Sequence, residues 1–127
     1  MKKELIIGSL LLFMAVVIGG VTAETFEDYM SKALTFENQQ RYTQAIDNYD
    51  LALKLNSTNI DAQYQKALDL YKAKRFSESL AAFKKTTELN PKNASAWYYQ
   101  GIINEQQGNK DDALDANNKA RLLGYIV

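Results

Sequence analysis

The stretch from residue 60 to residue 93 reads IDAQYQKALDLYKAKRFSESLAAFKKTTELNPKN, and the chain on either side of it repeats its pattern. A shift of 34 residues aligns small residues with small residues and aliphatic residues with aliphatic residues. The small columns are Ala33, Ala67 and Gly101, and Ala45, Ser79 and Ala113; the aliphatic columns are Ile46, Leu80 and Leu114, and Leu55, Leu89 and Leu123. Self-similarity at a fixed period of this length indicates a repeat array.

Each repeat is predicted to be a helical hairpin. In the first half of the quoted stretch, apolar and aromatic residues recur at the spacing i, i+3, i+4 and i+7, which places them on one face of a helix. They are Tyr64, Ala67, Leu68 and Tyr71. Asn93 or one of its neighbours is the predicted N-cap of the first helix of the third unit. The predicted N-caps of the second helices are Thr43, Ser77 and Asp111.

The three units share between them the residues of a known repeat pattern. These are Phe36, Ala45 and Tyr49 in the first unit, Phe83 and Pro91 in the second, and Trp97 and Gly101 in the third. At these positions, over about residues 26–127, the chain resembles a tetratricopeptide repeat protein. The resemblance implies an all-α fold of three helix-turn-helix repeats, at about 26–59, 60–93 and 94–127, stacked as a right-handed superhelix.

The chain departs from the family pattern in two places. Lys32, Lys66 and Gln100 occupy a column that is leucine in the family. Asn104 and Asn117 stand where the family places tyrosine and phenylalanine, the groups that would meet a following repeat. Polar residues suit the exposed end of an array, so we expect the array to end at three units. Drift within a weak repeat is the alternative interpretation of these asparagines.

The resemblance implies that the first helices line a concave groove that holds extended or helical peptides. The residues predicted to bind a partner are Met30, Leu34, Glu37, Tyr64, Leu68, Tyr71, Lys72, Tyr98, Ile102 and Glu105. The tyrosines and Met30 are expected to face solvent. Leu34, Leu68 and Ile102 have a second interpretation, as core between neighbouring first helices. An apolar, tyrosine-bearing groove suits a partner whose large side chains insert into it.

Residues 1–23 have the composition of an export segment. Lys2 and Lys3 precede an uncharged apolar run over residues 5–21, and an acidic, polar stretch begins at Glu24. This order favours a cytoplasmic amino terminus and a repeat domain outside the cytoplasm. The run is long for a cleaved signal and short for a membrane span, so two outcomes stay open: cleavage after Ala23 with secretion, or an N-terminal hydrophobic helix that anchors the chain in the membrane. A buried core helix is a third interpretation.

Composition excludes several classes of function. Fifteen basic residues balance fifteen acidic ones, so the chain lacks the positive excess that holds nucleic acid. Cysteine and histidine are both absent, which removes thiolate, imidazole and zinc-cluster chemistry and any lipid-bearing cysteine. The adjacent acidic pairs 27–28 and 111–112 diverge on a helix and cannot act together as acid and base. We therefore predict no catalysis, no cofactor and no metal.

Two functions remain from the sequence. The first is a protein-interaction module that binds a peptide or helix of a partner protein in its groove. The second is a self-associating structural or scaffold subunit of an envelope assembly, which would make the chain a homo-oligomer. Two glycosylation sequons, at Asn56 and Asn93, fall in predicted turns between units and would be accessible in a glycosylating compartment.

Overall fold

The structure is a computed structural model that describes residues 17–18 and 21–125. Six helices follow one another: α1 (Phe26–Asn38), α2 (Tyr42–Leu55), α3 (Ile60–Lys72), α4 (Phe76–Leu89), α5 (Ala94–Gln106) and α6 (Lys110–Leu122). They are preceded by two strands of two residues each, β1 (Val17–Ile18) and β2 (Val21–Thr22), which pair antiparallel. Consecutive helices pack against each other along the whole array. The predicted all-α solenoid of helical hairpins is therefore confirmed.

The predicted N-terminal hydrophobic helix is not shown. Residues 1–16 and 19–20 lie outside the described part of the chain, and the described residues 17–18 and 21–22 are extended rather than helical. Across the residues that the structure does describe, every helix is too short or too polar to cross a lipid bilayer. Signal cleavage, membrane anchoring and the side of the membrane stay predictions from sequence.

The turn inside each hairpin has the same geometry in all three units. Gln40, Lys74 and Gly108 lie at the 34-residue spacing and all adopt a positive φ, of 57°, 60° and 80°. The residue after each of them donates its backbone N–H to the carbonyl five residues earlier in the chain, as from Arg75 to Leu70 at 2.9 Å. Such a left-handed residue ends a helix sharply and satisfies its last carbonyls. The second helix of each hairpin begins two residues after it.

The predicted N-caps of the second helices are wrong. These helices begin at Tyr42, Phe76 and Lys110 after Arg41, Arg75 and Asn109, none of which makes a side-chain cap hydrogen bond. Thr43, Ser77 and Asp111 instead lie in the first turn, because the tight left-handed turn already sets where the helix starts. The first helices do use side-chain caps, with Thr25 in a capping box and Asn59 and Asn93 each accepting from the third residue on. The prediction for Asn93 is confirmed.

Small residues lie where paired helices cross. Ala33, Ala45 and Ala67 are fully buried, and the Ser79 hydroxyl donates to the Ala67 carbonyl at 2.8 Å across the second hairpin. In the third hairpin the side chain of Asn117 occupies the space that a β-carbon on residue 101 would need. Small side chains thus let the two helix backbones approach closely, as the repeat columns predict.

The expected polar end face is only partly observed. Asn104 is 2% exposed and lies inside the third hairpin, in the same column as the buried Leu70. It accepts a long hydrogen bond of 3.5 Å from Asn109 Nδ2 in the hairpin turn. Asn104 therefore faces the helix partner of its own unit rather than the open end of the array, and the interpretation of Asn104 as an end-face residue is wrong. Asn117 is half-buried beside Gly101.

We expect Ala67→Leu to lower the free energy of unfolding by roughly 1 to 3 kcal/mol, because the larger side chain overpacks a helix crossing with no free space. Ala81→Leu, on the exposed face of α4, is the matched control and should change stability little. Urea unfolding followed by circular dichroism measures both. Equal stability of the two variants would contradict the assigned helix register.

Candidate functional site

The first helices of the three hairpins contact one another along one face. Lys72 Nζ on α3 donates to Glu37 Oε1 on α1 at 2.7 Å, and Tyr64 and Ser95 join α3 to α5 through a hydroxyl contact of 2.6 Å. These contacts hold the three first helices side by side. The residues predicted to bind a partner lie on these three helices. We call this surface the first-helix strip, defined by the ten residues predicted to bind a partner.

Aromatic rings form a connected cluster beneath the strip. Tyr99 stacks on Phe83 with ring centroids 4.9 Å apart, and Tyr71 meets Tyr99 edge-on at 5.1 Å. Tyr64 packs edge-on against Phe83 at 5.9 Å. Aromatic pairs in these arrangements stabilise a core beyond the area that they bury. Tyr64 and Tyr71 are therefore half-buried: each packs into the cluster and keeps part of its surface accessible.

Tyr98 connects the strip to the C-terminal end of the described chain. Its ring contacts Tyr99 edge-on at 5.6 Å and stacks on Tyr125 at 4.5 Å. The repeat pattern contains no signal for Tyr99 or Tyr125, because the residues at their positions in the preceding unit are Gln65 and Pro91. Tyr98 is half-buried, and one part of its ring is already committed to Tyr125.

The aliphatic column of the strip is unequal in exposure. Leu34 is 44% exposed, whereas Leu68 and Ile102 are half-buried. Leu68 also packs against the larger core cluster, while Met30 packs against the core of the first hairpin. The second interpretation of this column, as core between first helices, therefore describes Leu68 best. Leu34 at the start of the strip is its most accessible apolar group.

A partly buried charged network lies at the junction of α1 and α3. Lys72 Nζ bridges Glu37 at 2.7 Å and Asp69 Oδ1 at 3.4 Å, and the Tyr49 hydroxyl donates to Glu37 Oε2 at 3.1 Å. Asp69 is fully buried, and within the described part of the chain its Oδ2 has no hydrogen-bond partner. Sequence reasoning named Glu37 and Lys72 but missed Asp69, since nothing in the repeat columns marks an aspartate at that position as buried.

The network shifts the pKa values of its members. Burial raises the pKa of Asp69 to about 6, the negative charge of Glu37 adds to this rise, and Lys72 opposes it. Burial lowers the pKa of Lys72, but the hydrogen bond and charge of Glu37, together with the charge of Asp69, outweigh it and raise that pKa overall. The Tyr49 hydroxyl has a raised pKa because it is buried and lies beside Glu37. At neutral pH, Glu37 thus accepts from a neutral phenol and a protonated amine.

Glu105 ends the strip and is exposed, without a salt bridge to any described residue. Over residues 17–18 and 21–125, no three acidic side chains gather in a way that could hold a metal ion. The strip offers apolar contacts, aromatic edges and carboxylates, which are groups that bind another chain.

A second apolar surface lies off the strip, at the end of α6. Trp97, Leu122 and Leu123 line an open cavity of about 310 Å³ together with Pro91 and Lys119. The Trp97 indole N–H donates to the Pro91 carbonyl at 2.8 Å, and the Lys119 ammonium lies 4.4 Å from the centroid of the indole ring. Leu122 is 84% exposed. Sequence reasoning did not find this surface, because it joins the region of Pro91 and Trp97 to the end of α6, which follows much later in the chain.

Comparison with known proteins agrees with the repeat architecture. Residues 64–123 match the family model described as Tetratricopeptide repeat. A TPR repeat-containing protein of Methanocaldococcus jannaschii is 25% identical over 85 residues, which is 67% of this chain and 15% of that protein. The chain thus corresponds to a small part of this relative.

Solved structures share the fold at low sequence identity. Superposition on MamA gives a TM-score of 0.75 at 24% identity over 78% of this chain and 58% of that one. The structure of YrrB, described as a TPR protein with an unusual peptide-binding site, gives 0.73 at 22% identity over 80% and 53%. The second TPR of Spaghetti (RPAP3), bound to an HSP90 peptide, gives 0.72 at 16% identity over 79% and 93%. At these identities the likeness shows the fold alone.

We expect the difference in stability between Asp69→Asn and the unchanged chain to depend on pH. The fold favours the neutral carboxyl, so the stability that Asp69 contributes is full below its ordinary pKa of 3.8 and is lost as pH rises through about 6. Asp69→Asn keeps a neutral group at every pH. The difference should therefore move in favour of the variant by roughly 3 kcal/mol across this window, measured by urea unfolding at a series of pH values.

Asp47→Asn, which alters an exposed aspartate on α2, is the control for this measurement and should show no such trend. A difference between Asp69→Asn and the unchanged chain that stays constant with pH would contradict the raised pKa of Asp69, because the fold would then not change that pKa.

Proposed function

We propose that this chain, whose match to the tetratricopeptide repeat model supports membership of that family, is a protein-interaction module that binds a peptide or helix of a partner protein on its first-helix strip. One observation carries the proposal: an apolar row runs along three adjacent helices, and its first member, Leu34, is exposed in the described part of the chain. Exposed apolar groups in a continuous row mark interaction surfaces. The relatives described as peptide-binding or peptide-bound support it by fold.

The residues of the strip divide into two roles under this proposal. Leu34 and Glu105 are exposed, and Met30, Tyr98 and Ile102 are half-buried; these five would contact the partner. Members held by contacts within the chain would form the floor that fixes the spacing of these groups: Glu37, Tyr64, Leu68, Tyr71 and Lys72. A rigid floor lowers the entropy cost of binding, because few side chains have to become ordered.

Export across a membrane is a further part of this proposal, and it rests on the sequence alone. The lysines and apolar run at the start of the chain support a domain that is secreted after cleavage or tethered by residues 5–21. In a glycosylating compartment, Asn56 would be the more accessible acceptor, because it is exposed. The Asn93 side chain is half-buried, and its oxygen caps α5.

A self-associating scaffold subunit is the second candidate, and an exposed apolar position on α6 favours it. Leu114 on α6 is 62% exposed, whereas its counterpart in the first unit, Ile46, is 2% exposed beneath the following hairpin. The face of α6 at Leu114 is therefore uncovered in the described part of the chain. An uncovered apolar face of this kind can pack on another copy and produce end-to-end stacking.

The double variant Leu34→Ala and Ile102→Ala tests the strip. We expect it to lose the proteins that the full chain captures from its native membrane fraction, because truncation removes the apolar anchors of the interface. Leu55→Ala with Leu122→Ala removes the same kind of side chain from exposed positions outside the strip and should retain them. Recovery of the same partners by both double variants, with unchanged circular dichroism, would remove the strip from consideration.

Leu114→Lys tests the scaffold alternative. If copies stack end to end, the mass of the full chain by light scattering should rise with concentration, and this variant should reduce it to the monomer because a charge at the contact opposes stacking. Lys54, an exposed residue on α2, provides the control Lys54→Gln, which should leave the mass unchanged. A chain that stays monomeric at high concentration contradicts the scaffold role.

A further inference from the structure

Charge is distributed unevenly over this neutral chain. Basic residues of the first helices that lie off the strip are already paired: Lys32 with Glu24 before α1, and Lys66 with Asp50 on α2 at 2.6 Å. On the strip, Lys72 is held between Glu37 and Asp69, so two carboxylates share one ammonium. The centre of the strip therefore carries a deficit of positive charge.

Two exposed carboxylates, those of Asp61 and Glu105, extend this deficit of positive charge toward both ends of the first-helix strip. Asp61 occupies the same column as Ser95, whose hydroxyl contacts Tyr64, so the repeat geometry places Asp61 beside Met30. Glu105 occupies the column of Glu37. Neither Asp61 nor Glu105 takes part in a salt bridge with the described residues. Carboxylates thus alternate with apolar groups along the strip.

The Asp69 carboxylate is a separate sign that the network contains too little positive charge. It is fully buried and lies next to the Lys72 ammonium, yet its Oδ2 lacks a hydrogen-bond partner among the described residues. A buried carboxylate oxygen without a donor is costly. Lys72 alone provides one charge to Glu37 and Asp69 together, and Glu37 takes the shorter contact, 2.7 Å against 3.4 Å. An additional positive charge near this point would lower the free energy of the network.

We propose that the partner segment bound by the first-helix strip is basic, with lysine or arginine side chains interleaved between large apolar ones. This inference rests on the proposed function and specifies its partner by chemistry. Apolar side chains of the segment pack on Leu34 and Ile102, and its cations lie against the exposed carboxylates of Asp61 and Glu105. An acidic segment of the same shape meets repulsion along the strip and is rejected.

Three synthetic amphipathic peptides of equal length and identical apolar face test this proposal, with lysine, glutamine or glutamate on the polar face. Binding of each labelled peptide to the full chain is measured by fluorescence anisotropy at low and at physiological salt. The lysine peptide should bind tightest and weaken as salt is added, because exposed charge pairs are screened. The glutamate peptide should bind weakest. Equal affinity for the three peptides overturns the proposal.

A pair of charge-neutralised variants locates the effect. Asp61→Asn with Glu105→Gln should weaken the lysine peptide about fivefold and leave the glutamine peptide unchanged, because two exposed charge pairs are lost. Asp47→Asn with Asp112→Asn removes the same charge from exposed positions on the second helices and should change neither affinity. Equal weakening by both variant pairs would show that net charge, and not the strip, attracts the peptide.

Failure of this inference can be told apart from failure of the proposed function. If the glutamine peptide binds as tightly as the lysine peptide, and Leu34→Ala with Ile102→Ala abolishes both, the strip binds partners but does not select for positive charge. If none of the three peptides binds the full chain, both the basic partner and the strip as a peptide-binding surface are contradicted.

Discussion

Close approach of two helices at a column of small residues is the contact on which the rest of the structure depends. Ala67 and Ser79 meet across the second hairpin. Both side chains are small and buried, and the Ser79 hydroxyl donates a hydrogen bond to the Ala67 carbonyl. Gly101 allows the same approach in the third hairpin, with Asn117 filling the space above it. Because a small residue recurs at the helix crossing of each hairpin, consecutive units stack with their first helices on the same face.

The cross-contacts between first helices turn that face into a fixed surface. The ion pair of Glu37 with Lys72 joins α1 to α3, and the contact of Tyr64 with Ser95 joins α3 to α5. These groups cannot also serve a partner without breaking the contacts that align the helices. The surface available for binding is therefore narrower than the full set of groove columns, and Leu34 is its most exposed apolar residue.

The charged network links the structural role of the first-helix strip to its proposed binding role. Burying Asp69 is unfavourable for its charged form, and the same burial brings its carboxylate next to Lys72. Lys72 thereby compensates two acids at once, and this leaves the strip acidic although the whole chain has equal numbers of acidic and basic residues. Chain-wide composition excluded a nucleic-acid partner, but only the local arrangement points to a basic protein segment.

The sequence by itself determined the repeat period, the helical hairpins and the buried small columns, because each of these is a local pattern that recurs in register. It failed where contacts in the folded chain, within a hairpin or between units, decide the outcome. Asn104 is polar yet buried within its own hairpin, and Tyr71 is aromatic yet committed to Tyr99 on the next first helix. Asp69 gave no sign of burial, since its environment is supplied by α1. Which strip residues stay free for a partner is set by contacts between units, and a one-dimensional pattern does not contain them.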